Sequence, residues 1–243
     1  MSEGTPPARL RRVAGEFAVI VLGVLVALFM ESAWEDRQER QLAGEYVERL
    51  REEVRLNREE LSSDLAFNAV NCQAASEAFA GLNQGPAAAS EDLLRSIWVA
   101  ALNRTPQYRR STYEDLVASG RLGIIRDAAV RDRIIDYYGY DLGAFRPVRE
   151  GDYRRNVLST LPPDWTSGMV RSCATLTGMR EDWKSCWVPV DGGAERWVER
   201  ISGLPGIRPQ LAERTYDICT FDRFLGEADG FLGGLEEALG TTP

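Results

Sequence analysis

The stretch GEFAVIVLGVLVALFMESAWEDR, residues 15–37, decides how the rest of the chain is read. Phe17 to Met30 runs without a charge between Glu16 and Glu31. A run of this length suits a signal-peptide core or a buried helix, whereas a spanning helix wants about 20 residues. Taken from Val13 to Trp34, the segment rises roughly 33 Å at about 1.5 Å per residue, enough to cross a bilayer. Arg9, Arg11 and Arg12 precede it, and Glu31, Glu35 and Asp36 follow. The positive-inside rule therefore places the N-terminus in the cytoplasm. Trp34 falls where an interfacial aromatic anchor sits. A cleaved signal needs small residues at −3 and −1 of its cleavage site, and the best candidate, Glu31-Ser32-Ala33, puts a glutamate at −3. The reading is an uncleaved anchor over 13–34.

Glu16 is costly inside such a segment. Arg12, four residues earlier on the same face, is placed to pair with it near the cytoplasmic headgroups. Ile20, Gly23 and Ala27 continue that face, and Gly23-x-x-x-Ala27 is a small-xxx-small pattern. Small residues let a second helix backbone come close, and packing drives helix association in lipid. Glu16, Ile20, Gly23 and Ala27 are thus the expected partner face within the membrane.

Composition narrows the function classes. The 243 residues carry a formal charge of −8, which disfavours a phosphate-backbone partner, so no nucleic acid is expected. There is no histidine, which removes the commonest general base, the usual zinc and haem ligand and the usual axial ligand of chlorophyll-type pigments. Lys184 stands alone among many arginines, a bias that GC-rich codon usage explains without function.

Beyond the anchor the pattern is helical. From Glu35 to about Leu82 the chain is highly charged and free of proline. Val47, Leu50, Val54, Asn57 and Leu61 recur at three- and four-residue steps, continuing weakly through Leu65, Cys72, Ala75, Phe79 and Leu82. This predicts one long helix continuous with the anchor, and Asn57 and Asn68 on the stripe argue against a dry coiled coil. GLNQGPAAAS, residues 81–90, breaks the pattern, and Ser90 caps the next helix with Glu91 and Asp92 in its first turn.

Residues 111–140 follow as STYEDLVASGRLGIIRDAAVRDRIIDYYGY. Ser111 or Thr112 opens a short helix that stops at Ser119-Gly120. Asp127 caps a longer one carrying Val130, Ile134, Ile135, Tyr138 and Leu142. The order Thr112-Tyr113-x-x-Leu116-x-x-Ser119-Gly120-x-Leu122-x-x-Ile125, with Tyr137-Tyr138 beyond it, resembles an uncharacterised bacterial family of single-span membrane proteins with an extracytoplasmic helical domain. Glu16, Gly23, Ala27-Leu28 and Trp34 resemble that family's N-terminal span. The likeness covers roughly residues 13–140 and implies topology only. An asparagine-rich approach to the tryptophan is replaced here by Glu31-Ser32-Ala33.

Residues 161–193, LPPDWTSGMVRSCATLTGMREDWKSCWVPVDGG, show little periodicity and read as a long irregular loop. Outside the cytoplasm, Cys173 and Cys186 are well placed for a disulfide. That leaves Cys72 on the long helix and Cys219 on the last one, which pair if the two helices lie side by side. Three connectivities are open to four cysteines, and Cys173–Cys186 with Cys72–Cys219 is the favoured one. The tryptophans Trp165, Trp183 and Trp187 either fill a small satellite core or form a docking surface, since tryptophan dominates interface hot spots. A last helix runs from Pro205 or Pro209 to about Leu239, with Leu211, Tyr216, Cys219, Phe224, Leu225, Phe231, Leu235 and Leu239 on its apolar side and four glycines, Gly226, Gly230, Gly233 and Gly234, allowing close approach or bending.

The expected fold class is therefore all-α: a cytoplasmic tail over 1–12, a transmembrane helix over 13–34, and an extracytoplasmic helical domain over 35–243. The domain is a long helix and an antiparallel bundle with one disulfide-stapled loop. No phosphate-cradling glycine loop, c-type haem motif, histidine-activated nucleophile or metal-spaced ligand cluster occurs. No catalytic residue, metal site or cofactor is expected. The partners expected are the membrane, crossed once, and other integral membrane subunits, with no pigment or haem of its own. The leading expectation is a non-catalytic accessory subunit of a bacterial inner-membrane complex, respiratory or photosynthetic, bracing its periplasmic side. A ligand-sensing bundle working through a partner and a carboxylate-dependent enzyme are the alternatives.

Overall fold

Helix α1 (Ala8–Gln84) is the spine of the computed structural model, a single uninterrupted helix of 77 residues. At about 1.5 Å per residue it is about 115 Å long. The structure describes residues 8–85, 90–104, 107–140, 151–175, 178–179 and 182–241, without the side chains of 8–16, 18, 174–175, 178–179 and 241. Seven more helices follow among these residues: α2 (Glu91–Ala100), α3 (Ser111–Ala118), α4 (Ala128–Gly139), α5 (Asp152–Thr160), α6 (Pro163–Cys173), α7 (Gly193–Ser202) and α8 (Ile207–Thr241). One 3-10 turn spans Leu122–Ile124, and a two-residue antiparallel pairing joins Ala174–Thr175 to Gly178–Met179. The domain is all-helical in this sense, with two disulfides.

Helix α8 returns antiparallel along α1, and the other elements pack on this pair. Two apolar cores are strung along it. One gathers Tyr46, Val47, Leu50, Val54 and Leu61 of α1 with Leu116, Ile125, Ile134 and Tyr138, and with Leu225, Leu232 and Leu235 of α8. The other joins the far end of α1, from Ala74 to Leu82, with α2, α5, α6, α7 and the start of α8. Between them lies a polar band. There Asn68 Nδ2 donates to the Ile218 carbonyl (3.1 Å) and Asn71 Nδ2 to that of Leu102 (2.9 Å). The Cys72–Cys219 bond closes the band, with Cα atoms 5.0 Å apart. The side-by-side packing that this pairing required is the observed one, and Cys173–Cys186 is also formed. No described cysteine is free.

Of the glycines Gly226, Gly230, Gly233 and Gly234 in α8, two serve its packing. Arg58 passes against Gly233, where a Cβ would lie 3.4 Å from Nη2, and pairs with Glu236 at 2.7 Å and with Asp229. Arg133 lies against Gly234 in the same way. Around Gly226 and Gly230 there is open space.

Several expectations are corrected. Residues 161–193 are not one long loop, because α6 occupies 163–173. Pro163 stands at its first helical position, where the missing N–H costs nothing. Trp165, Met169 and Cys173 then recur every four residues on the buried face. The periodicity puts Tyr216 and Phe79 on apolar stripes, yet Tyr216 is 72% exposed and Phe79 37%. Leu142 lies outside the described residues.

The transmembrane helix expected over 13–34 is not found as such. Among the described residues no helix is long and apolar enough to cross a membrane. Counted onward from Val19, a stretch of crossing length takes in Glu31, Glu35 and Asp36. The side chains at the start of the expected span, Glu16 included, lie outside the described residues. What is described there is helical, and its large apolar side chains are bare: Ile20 is 65% exposed, Phe29 75% and Trp34 65%. Gly23 and Ala27 are on this uncovered stretch, with nothing within 4 Å of the Cβ position at Gly23.

Candidate functional site

The sequence order Thr112 to Ile125, with the Tyr137-Tyr138 pair, forms one packing unit against α1. The unit is built around Glu53, which is 4% exposed. Its carboxylate accepts the Tyr138 hydroxyl at 2.6 Å, the Thr112 backbone N–H at 2.8 Å and the Ser111 hydroxyl at 3.1 Å. Helix α3 has no capping side chain of its own at its N-terminus, so a carboxylate from another helix does that work. Tyr113 stacks flat on Tyr138, with ring centroids 4.7 Å apart and 3° between planes. Burial, with the Glu53 carboxylate beside it, pushes the Tyr138 phenol well above the ordinary tyrosine range. Burial likewise pushes Tyr137 up to about 12. A phenol held protonated against a buried carboxylate that accepts two further donors is a structural bond.

Ser119-Gly120 ends α3 as a Schellman motif. The Gly120 N–H donates to the Val117 carbonyl (3.1 Å) and the Arg121 N–H to that of Leu116 (2.9 Å), with Gly120 at φ 67°. Leu116 and Ile125 then face the core on either side of the stop. The Asp127 carboxylate starts α4 by accepting the N–H groups of Ala129 and Val130.

Helix α1 carries more of this kind. Asn57 bonds the backbone of Arg109 in both directions, donating at 2.9 Å and accepting at 2.7 Å. Glu60 accepts the Gln107 N–H (2.8 Å) and pairs with Arg104 (2.9 Å). Asp64 pairs with Arg104 and accepts the Tyr108 hydroxyl (2.6 Å). Asn57, Glu60 and Asp64, at three- and four-residue steps, and Asn71 two turns further on form a ladder that grips the connection between α2 and α3. From the other side Arg214 donates to the carbonyls of Ala100 and Leu102 and to Asn103, covering the C-terminal end of α2. A guanidinium at a helix C-terminus is favoured by the dipole, although burial lowers Arg214 to about 10. Glu53, Glu60, Asp64 and Asn71 were not singled out in the sequence. The available signal was their phase, which is that of the apolar stripe.

The tryptophans fill a core. Trp165 is 4% exposed and Trp183 3%. The Trp165 indole N–H donates to the Val188 carbonyl at 2.7 Å, and its ring meets Trp98 and Trp187 edge-on at 6.1 and 5.6 Å. Trp187 is half-buried under the Arg95 guanidinium. A docking surface of Trp165, Trp183 and Trp187 is therefore replaced by the satellite-core reading, with Cys173–Cys186 holding its edge.

One cleft of about 360 Å³ lies at the end of the bundle toward the apolar segment. Arg40, Gly44 and Val47 of α1 form one wall, and Ile124, Ile125 and Arg126 the other. Arg126 reaches across to Asp36 at 2.9 Å and Glu39 at 3.6 Å. Among the described residues no group of histidine, cysteine or carboxylate side chains is arranged to hold a metal ion. No family model matches the chain, and neither a curated protein nor a solved structure matches it.

Proposed function

We propose that this protein is a single-span subunit of a larger inner-membrane assembly, with a cytoplasmic N-terminus and a periplasmic bundle, acting by contact and not by catalysis. The observation that carries this reading is the bare apolar run of α1, which continues without a break into the helix that builds both cores. Joined to Val13–Ala18, that run is the 22-residue segment with arginines before it and carboxylates after it. Two disulfides suit an oxidising compartment. A brace needs a stiff link between anchor and domain, and an unbroken helix supplies one. The buried carboxylates Glu53 and Asp64 are spent on hydrogen bonds within the fold, which favours a structural role over a carboxylate-dependent enzyme.

Within the membrane the Gly23 and Ala27 face is the proposed seat of the partner helix, with Glu16 and Ile20 beside it. The test is mild detergent extraction followed by mass spectrometry of co-purifying proteins. Wild-type protein should carry specific membrane subunits with it, and Gly23→Leu should lose them while the bundle stays folded. A chain that purifies alone and turns over a small substrate would refute the reading. The cleft beside Arg40 and Ile124 favours a second reading, a ligand sensor whose output passes down α1. Ligand-dependent stabilisation without any co-purifying subunit would select it.

A further inference from the structure

Resting on that membrane reading, we infer that the connection between α3 and α4, residues 119–126, is a second membrane contact that sits on the phospholipid headgroups beside the anchor. Position along α1 carries the argument. Arg126 is tied to Asp36 and Glu39, which lie two and five residues beyond Trp34. At about 1.5 Å per residue these are about 3 and 8 Å above the tryptophan. The headgroup layer of one leaflet is about 5–8 Å thick, and interfacial tryptophans lie within it. The tied loop therefore descends to headgroup depth. The end of α8 stands higher: the carbonyl of Leu239 is held by Arg51.

The surface of the loop fits that place. Ser119, Gly120, Arg121, Gly123 and Arg126 are exposed, and Val117 just before them is 51% exposed. Leu122 and Ile124 are half-buried against the core behind. Small residues bring the backbone close to a surface, and Arg121 offers phosphate-binding donors. Asp36 and Glu39 pair with Arg126, and Asp127 follows it in the chain, so the patch is of mixed sign. Zwitterionic headgroups, with phosphate and amine together, match it better than a strongly anionic surface. The consequence is orientation: anchor and loop are two points of contact, and they fix the tilt of the bundle over the bilayer.

The full chain is reconstituted in phosphatidylcholine vesicles carrying a fraction of headgroup-nitroxide lipid. Environment-sensitive fluorophores are attached through single substitutions Trp34→Cys, Arg121→Cys, Gly123→Cys and Tyr216→Cys. Gly123 has open space where the new side chain goes, and so serves if Arg121→Cys disturbs folding. Tyr216 lies near the level of Cys72 and Cys219, far up the bundle. Quenching at 121 or 123 that approaches that at 34 and exceeds that at 216 by about threefold supports the inference. Strong quenching at 34 with 121 and 123 as low as 216 overturns it and leaves the anchor standing. No quenching at 34 refutes the anchor itself, and the loop contact falls with it.

Discussion

Glu53 shows how much one side chain decides in this fold. It sits in the charged stretch EYVERLREEVRLNREE, where neighbouring glutamates pair with arginines on the surface: Glu52 and Glu59 both bond Arg55. Nothing in its type separates it from them, and only its phase with Leu50, Val54 and Asn57 marks it as inward. Glu53→Ala would leave the Thr112 N–H and the Tyr138 hydroxyl without their acceptor in a dry core, costing about 3 kcal/mol. Glu53→Gln keeps an acceptor oxygen and should cost clearly less; urea unfolding midpoints of the two variants check the order. Tyrosines make the second prediction at this scale. Tyr137, Tyr138 and Tyr153 all have phenols raised by burial, so the folded state keeps protons that the unfolded chain releases above pH about 10. Their contribution is complete below that pH and is lost as pH rises through the folded values. Arg214, lowered to about 10, acts in the opposite sense over the same window, but it is one group against these tyrosines and Tyr140, which is raised in the same direction. Net stability should fall between pH about 10 and about 12, seen as a lower urea midpoint at high pH.

Elements were legible where a local signal agreed with the tertiary outcome. Ser90, Asp127 and Gly120 mark helix ends by the chemistry of their own side chains or backbone, and each stands where that chemistry placed it. The continuity of α1 could be read because no proline or break separates Glu35 from Leu82. Helix α6 could not, because Pro162-Pro163 looks like a stop and its apolar positions alternate with Thr166, Ser167 and Gly168. Its stripe shows only once the helix is assumed. The candidate site was less legible still, since the grip of α1 on residues 102–112 joins groups 31 to 59 positions apart. Two outcomes test the elements. Trp165→Ala should cost about 3–5 kcal/mol, as a core tryptophan does, and calorimetry would show it directly. Removing Cys72–Cys219 by paired alanine substitution should cost about 5 kcal/mol in the chain-entropy model, against about 3 for Cys173–Cys186, because the closed loops span 147 and 13 residues. Equal losses would mean that the unfolded chain is already constrained around the larger loop.

For the whole molecule, the decisive feature is where the cores begin. Leu42 is the first residue of α1 packed against either core, and Tyr46 the first buried in one. Among the described residues before them none is packed against either core, although Arg126 reaches back to Asp36 through an exposed ion pair. Such a pair is worth at most about 1 kcal/mol. The bare apolar run therefore adds no stability to the bundle, and it exposes side chains that water disfavours. The domain and its apolar extension should be thermodynamically separable even though one helix joins them. A chain beginning at residue 35, exported to an oxidising compartment so that both disulfides form, should be monodisperse without detergent. Its unfolding midpoint should lie within about 1 kcal/mol of that of the detergent-solubilised full chain. Chemical denaturation and light scattering check the two halves of this expectation. Loss of folding on truncation would mean that the run before Leu42 packs against the bundle, and the proposed division between anchor and brace would then be wrong.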